Sequence, residues 1–185
     1  MSPHQVTYVY RQLMSRAKEL PNTELFAKIL ASQAVGMGNL PTDLGLGEIN
    51  FFALRVCYFP GTPLTSHPIV SSVMPKRRSE WEDLNHLLLE HRAGTDFSEK
   101  WMAEIVATAC MGGNHLWQDL GLWSRNDVTT LMSKNFPSLA TKNKADMKWK
   151  KFLYKQLCQQ EGIYVCRAPS CQVCTDYSLC FGPET

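Results

Sequence analysis

No apolar run in this chain of 185 residues approaches the roughly 18 to 20 residues of a membrane span. The opening MSPHQVTYVYRQ also lacks the basic stretch and apolar core of a secretory signal. The expectation is a soluble, unexported, cytoplasmic protein with no membrane contact. Charge of one sign is equally scarce, since 19 Lys and Arg stand against 17 Asp and Glu for a net of +2. That balance excludes the polyelectrolyte character behind unspecific binding to nucleic acid. Strand-like alternation is nearly absent. There is no glycine-serine elbow, phosphate loop or zinc-protease helix, and no acid pair stands out, so a turnover enzyme is not expected. A disulfide frame is disfavoured because the seven cysteines are odd in number and four of them crowd into the last twenty residues.

Helical signals dominate what is present. Apolar residues recur at spacings of three and four between Gly, Pro and Ser punctuation, so the expected class is all-α. Ser79 with Glu82 reads as a capping box opening a helix that Gly94 ends. Asn22 begins a segment that Gly36 stops, Ser98 begins one that Gly112 and Gly113 stop, and Ser124 with Asp127 opens one that Pro137 closes. Loops are expected near 60 to 75, where four prolines from Pro60 to Pro75 exclude regular hydrogen bonding, and at 137 to 143.

The chain also resembles itself. Residues 25 to 46, LFAKILASQAVGMGNLPTDLGL, align without gaps to residues 101 to 122, WMAEIVATACMGGNHLWQDLGL, with nine of 22 positions identical. After one inserted residue Leu54/Leu131, Phe59/Phe136 and Pro60/Pro137 also match. With a shorter loop in the second copy, Trp81/Trp149 and Gly94/Gly162 bracket a corresponding helix. The pattern predicts one duplicated helical domain over 1–162, with repeat units about 22–94 and 98–162, followed by a cysteine-rich tail over 163–185. Two such halves can bury their apolar faces against one another about a pseudo-twofold axis. The second copy is chemically richer, with Cys110 where the first has Ala34, His115 for Asn39 and Gln118 for Thr42. His115, in a glycine-flanked turn, is the best ligand candidate among them.

In the tail, Cys166, Cys171, Cys174 and Cys180 form a Cys-x4-Cys-x2-Cys-x5-Cys motif. Four thiolates this close in sequence can be aimed at one ion or cluster by a single loop, and Pro169 lowers the entropy of ordering it. Soft thiolates suit tetrahedral zinc and iron–sulfur clusters alike. The first three ligands, Cys-x4-Cys-x2-Cys, match plant-type iron–sulfur proteins and favour iron–sulfur over zinc, although here the fourth cysteine follows almost at once. Just upstream, residues 142–155 carry a net +5, while the rest of the chain sums to −3. On one continuous helix Lys144, Lys148, Lys151 and Lys155 would form a stripe, with Trp149, Phe152, Leu153 and Leu157 facing away. Such a field attracts an oxyanion or docks an acidic partner, unless it is an ordinary solvated face. Cys57, Cys110 and Cys158 read as small buried apolar residues, and His67, His86 and His91 as surface residues.

The run CMGGNHLWQDLGL, the segment DMKWKKFLYKQLC and the ending CRAPSCQVCTDYSLCFGPE together resemble the NifQ family, as do the LPTDLGLG elbow and the helix LLLEHRAG. The resemblance implies a role in nitrogen fixation, as a cytoplasmic iron–sulfur metallochaperone that handles molybdenum for biosynthesis of the nitrogenase iron–molybdenum cofactor. It implies a molybdenum–iron–sulfur cluster, and as partners the scaffold complex NifEN and the dinitrogenase reductase NifH. The residues are compatible with this. Three of the four tail thiolates can each hold one iron of a three-iron four-sulfide cluster, leaving an open corner for molybdenum, which the fourth thiolate or His115 could cap or leave free. Molybdenum arrives as the molybdate dianion, which the lysines would attract. An iron–sulfur electron carrier and a zinc-stabilised interaction module remain the alternative readings.

Overall fold

The computed structural model describes residues 3–62, 77–160, 177–181 and 184, and every regular element among them is helical. The order is α1 (Pro3–Met14), α2 (Thr23–Ala34), α3 (Gly47–Tyr58), α4 (Arg78–Glu90), α5 (Ser98–Cys110), α6 (Leu116–Leu120), α7 (Arg125–Asn135), α8 (Pro137–Ala140), α9 (Trp149–Gln160) and α10 (Tyr177–Phe181). The all-α expectation holds. The central helices α2 and α5 are apolar on nearly every side. Phe26, Ala27, Ile29 and Ala31 in α2, and Met102, Ala103, Ile105, Val106 and Ala107 in α5, are completely buried. Around them α1 packs on α2, α4 packs on α5 and on α9, and α6 bridges α5 and α7.

Positions paired by the self-alignment fall at matching places. Ala27/Ala103, Ile29/Ile105, Ala31/Ala107, Leu54/Leu131 and Phe59/Phe136 are all buried. Phe59 and Phe136 cap the ends of α3 and α7 in nearly identical backbone conformations, φ −132° and −133°. Cross-contacts are reciprocal. The first elbow seats Gly45 against Thr108 of α5, and the second seats Gly121 against Ser32 of α2, its counterpart in the alignment. At the helix starts Asn22 donates to its own counterpart, Ser98, at 2.9 Å and exchanges hydrogen bonds with Asn135.

Several local expectations need correction. Ser79 does not cap α4, which starts at Arg78 behind Arg77; Glu82 instead pairs with Arg78 at 2.7 Å. α4 ends at Glu90, before Gly94, whose N–H is bound by Glu99. Asn22 precedes α2 but spends its side chain on Ser98 and Asn135, not on a cap. Ser98 does begin α5, as expected, while Glu99 gathers the N–H groups of Gly94, Thr95 and Asp96 before it. Ser124 and Asp127 do form the expected capping box. The predicted loop at 137–143 opens with α8, for which Pro137 supplies a preset first helical residue. The proline-rich loop, beyond Thr62, lies outside the described residues.

Candidate functional site

The second half builds a cavity of about 570 Å³ whose lining includes Arg77, Cys110, Asn114, His115, Lys148, Lys150, Lys151, Tyr154, Leu179 and Glu184. The turn from Gly112 to His115 forms one wall. It is pinned by the completely buried Asp119, whose carboxylate accepts the Asn114 N–H and side-chain amide, each at 3.0 Å. Lys150 of α9 closes this arrangement by pairing with Asp119 and donating to the Gly112 carbonyl at 3.0 Å. A Cβ at Gly112 would run into the Asp119 carboxylate, so the turn admits no side chain there. Among the described residues, the matching Asp43 of the first half accepts the Gly45 N–H, and its other buried oxygen finds no hydrogen-bond partner.

His115 stands at the start of α6, with its N–H bound to the Gln118 side chain at 3.1 Å. Its Nδ1 lies 3.8 Å from the buried Glu184 carboxylate, which also lies 3.9 Å from Arg125. Tyr154 accepts from Arg77 at 3.2 Å, and burial, then its hydrogen bond to Glu80, raises its phenol well above the ordinary value. Cys110 is buried as expected, and desolvation pushes its thiol up to about 12. It lines the cavity as a neutral thiol at physiological pH and offers no thiolate.

Of the tail cysteines, Cys166, Cys171 and Cys174 lie outside the described residues. Cys180 sits half-buried in α10. Lys148 fastens this helix to the body, its N–H donating to the Cys180 carbonyl at 2.8 Å and its ammonium to the Ser178 carbonyl at 3.3 Å. Leu179, between them, reaches the cavity wall. Among the described residues, no three His, Cys, Asp or Glu gather as a metal site.

The lysine stripe is not what the helical spacing predicted. α9 begins only at Trp149, so Lys144 lies in an exposed turn and Lys148 in the extended approach. Lys148 and Lys151 face the cavity, whereas Lys155 lines a separate groove with Lys142 and Tyr177. Trp149, Phe152 and Leu153 are buried and Leu157 packs against the core, as expected. Cys57 is exposed, against expectation, because it falls on the outer face of α3. Sequence reasoning missed Arg77, Lys150 and Tyr154. The signal that would have found Lys150 was the reversal of charge from Glu82, its counterpart in the first half.

The elements that build this region are also those that carry the chain's similarity to other proteins. The NifQ family profile matches residues 25–182, from α2 through the end of α10. Protein NifQ of Azotobacter vinelandii is 46% identical over 168 residues, covering 85% of this chain and 86% of that protein. Protein NifQ of Rhodobacter capsulatus is 35% identical over 161 residues, with 86% and 87% covered. Protein NifQ of Klebsiella pneumoniae is 34% identical over 172 residues, with 88% and 99% covered. No solved structure matches the chain. With the turn, the cationic side chains of the cavity and the cysteine motif all inside the matched span, the chain belongs to the NifQ family.

Proposed function

We propose that this protein is an iron–sulfur carrier of molybdenum that delivers the metal for assembly of the nitrogenase iron–molybdenum cofactor, as a cytoplasmic donor and not a turnover enzyme. The observation that carries this reading is the Cys-x4-Cys-x2-Cys-x5-Cys motif in a chain of the NifQ family. Four thiolates are soft ligands fitted to iron–sulfur chemistry, and Cys166, Cys171, Cys174 and Cys180 would hold the cluster. Such a cluster supplies sulfide ligands and an open coordination position for molybdenum. The protein's own part is to present it at the edge of the helical body. α10 buries none of its residues and opens more easily than the core, as a donor that must release its cargo requires. NifEN, acting with NifH, is the proposed acceptor.

The helical body is proposed to be one domain that arose by duplication, with the cluster segment appended at its end. The reciprocal seats of Gly45 on Thr108 and Gly121 on Ser32 support that origin.

Metal analysis and low-temperature electron paramagnetic resonance, on anaerobic protein from molybdate-fed cells, test the assignment. Iron with molybdenum is expected, the molybdenum passing to reduced scaffold complex. Iron without molybdenum under any loading would make the protein an electron carrier, and zinc alone would make the tail a structural clip. Serine replacement of each tail cysteine should abolish cluster retention at the obligatory ligands; full retention in all four variants would remove the tail as the site.

A further inference from the structure

Among the described residues, the cavity carries more positive charge than its internal pairing consumes. Arg77, Lys148, Lys150 and Lys151 all line it. Lys150 is spent on the buried Asp119, and Arg77 is held by both carboxylate oxygens of Glu80. Glu184, the one carboxylate of the wall among the described residues, faces His115 and Arg125. Among the described residues, the Lys148 ammonium reaches the neutral Ser178 carbonyl, and no carboxylate lies within ion-pair distance of Lys148 or Lys151.

The first half shows that the fold does not demand these cations. With Trp81 aligned on Trp149, the positions of Lys148, Lys150 and Lys151 are taken by Glu80, Glu82 and Asp83. Likewise His115 and Asn114 stand where the first half has Asn39 and Gly38. Charge is therefore of opposite sign at these paired positions, and Asn114 adds a hydrogen-bonding side chain where the first half has Gly38, in the half that supplies most of this cavity. The buried Leu116 backs part of the wall with apolar material that strengthens the field between the ammonium groups. Two unmatched ammonium groups, an imidazole and a side-chain amide around one small cavity suit a compact dianion with oxygen atoms on every side.

We propose that this cavity is a receiving site for a tetrahedral oxyanion dianion, bound by Lys148 and Lys151 with His115 and Asn114. Lys150 braces the turn that forms its floor, and Lys144 and Lys155 take no part. Identifying the anion in the cell as molybdate rests on the carrier reading; the existence of the site does not. Because Lys148 also holds the Cys180 and Ser178 carbonyls, the bound anion lies beside the segment that bears a cluster ligand. No bond is made or broken at this stage.

Equilibrium dialysis with molybdate on full-length protein, all four tail cysteines replaced by serine, measures the site without a cluster. Saturable binding that sulfate competes away is expected. Lys148→Glu combined with Lys151→Asp installs the residue types that the first half already carries at these positions. It should weaken binding by about tenfold or more, while Lys144→Glu with Lys155→Glu should leave it within about twofold, since exposed charges outside the cavity are screened. Helical circular dichroism and melting report whether each variant folds; if the first does not, Lys148→Gln with Lys151→Gln should show a loss in the same direction. Equal weakening in the two lysine pairs would reduce the site to a diffuse field and overturn it. Absence of saturable binding in the parent would also overturn it, while leaving the carrier reading to be decided by the iron and molybdenum content of the native-cysteine protein.

Discussion

Glu99 is 2% exposed, yet it accepts the N–H groups of Gly94, Thr95 and Asp96 and the Thr95 hydroxyl. Burial pushes its carboxyl up, but these donors outweigh burial and hold it below the ordinary carboxylate range. A carboxyl depressed in the folded state adds stability that is fully present above its unfolded value of about 4.3, and that is lost as pH falls through the folded value. Glu99→Gln should cost roughly 1–3 kcal/mol at neutral pH and flatten the loss of stability below about pH 4.3. Urea unfolding across that range measures both effects, and an unchanged acid profile would remove Glu99 from this role. At this scale the sequence was a partial guide. It marked Ser98 as the helix start, but the residue beside it gathers the free donors, because only a carboxylate has lone pairs enough for four of them. Cys110 was legible as a buried apolar residue from its place in an apolar helix, whereas the exposure of Cys57 depends on which side of α3 the rest of the fold covers.

Each Asp-Leu-Gly-Leu elbow turns the chain out of a central helix and seats it on the central helix of the other half. Gly45 has φ +83° and Gly121 φ +71°, and a Cβ at either would press to within 2.3 Å of Thr108 Oγ1 or 2.8 Å of Ser32 Cβ. Gly45→Ala and Gly121→Ala should each cost roughly 2 kcal/mol or more, combining a left-handed backbone with overpacking. Gly36→Ala, with φ +73° but open space around it, should lose only the backbone part, about 1 kcal/mol. Chemical unfolding of the three variants checks this order; equal losses at all three would show that the elbow contacts contribute nothing. The repeated elbow was visible in the sequence as an identity, but its cause was not, since Ser32 and Thr108 meet it from the other half of the molecule. The same limit explains the lysines. A stripe computed for one unbroken helix failed because Asn143 ties the turn before α9 at both ends of Met147, through its N–H and its carbonyl, each at 2.9 Å.

Across the whole molecule, stability should fall from the centre outward. α2 and α5 are the richest in completely buried side chains, while α10 buries none of its residues and is held by Lys148 and by partial packing of Cys180 and Phe181. Native-state hydrogen exchange is expected to be slowest in α2 and α5 and fastest in α10; protection of α10 equal to that of the core would contradict a cluster segment built to open. The sequence by itself determined the helical class, and it displayed the self-similar segments and the four-cysteine spacing of the tail. Each of these follows from local periodicity or from residue types close together in the chain. Only the tertiary structure decided that Arg77, His115, Lys148 and Lys151 share one cavity while Lys144 and Lys155 do not. These groups come from separate elements, and the packing that orients those elements is set by burial over the whole core, not by spacing along the chain.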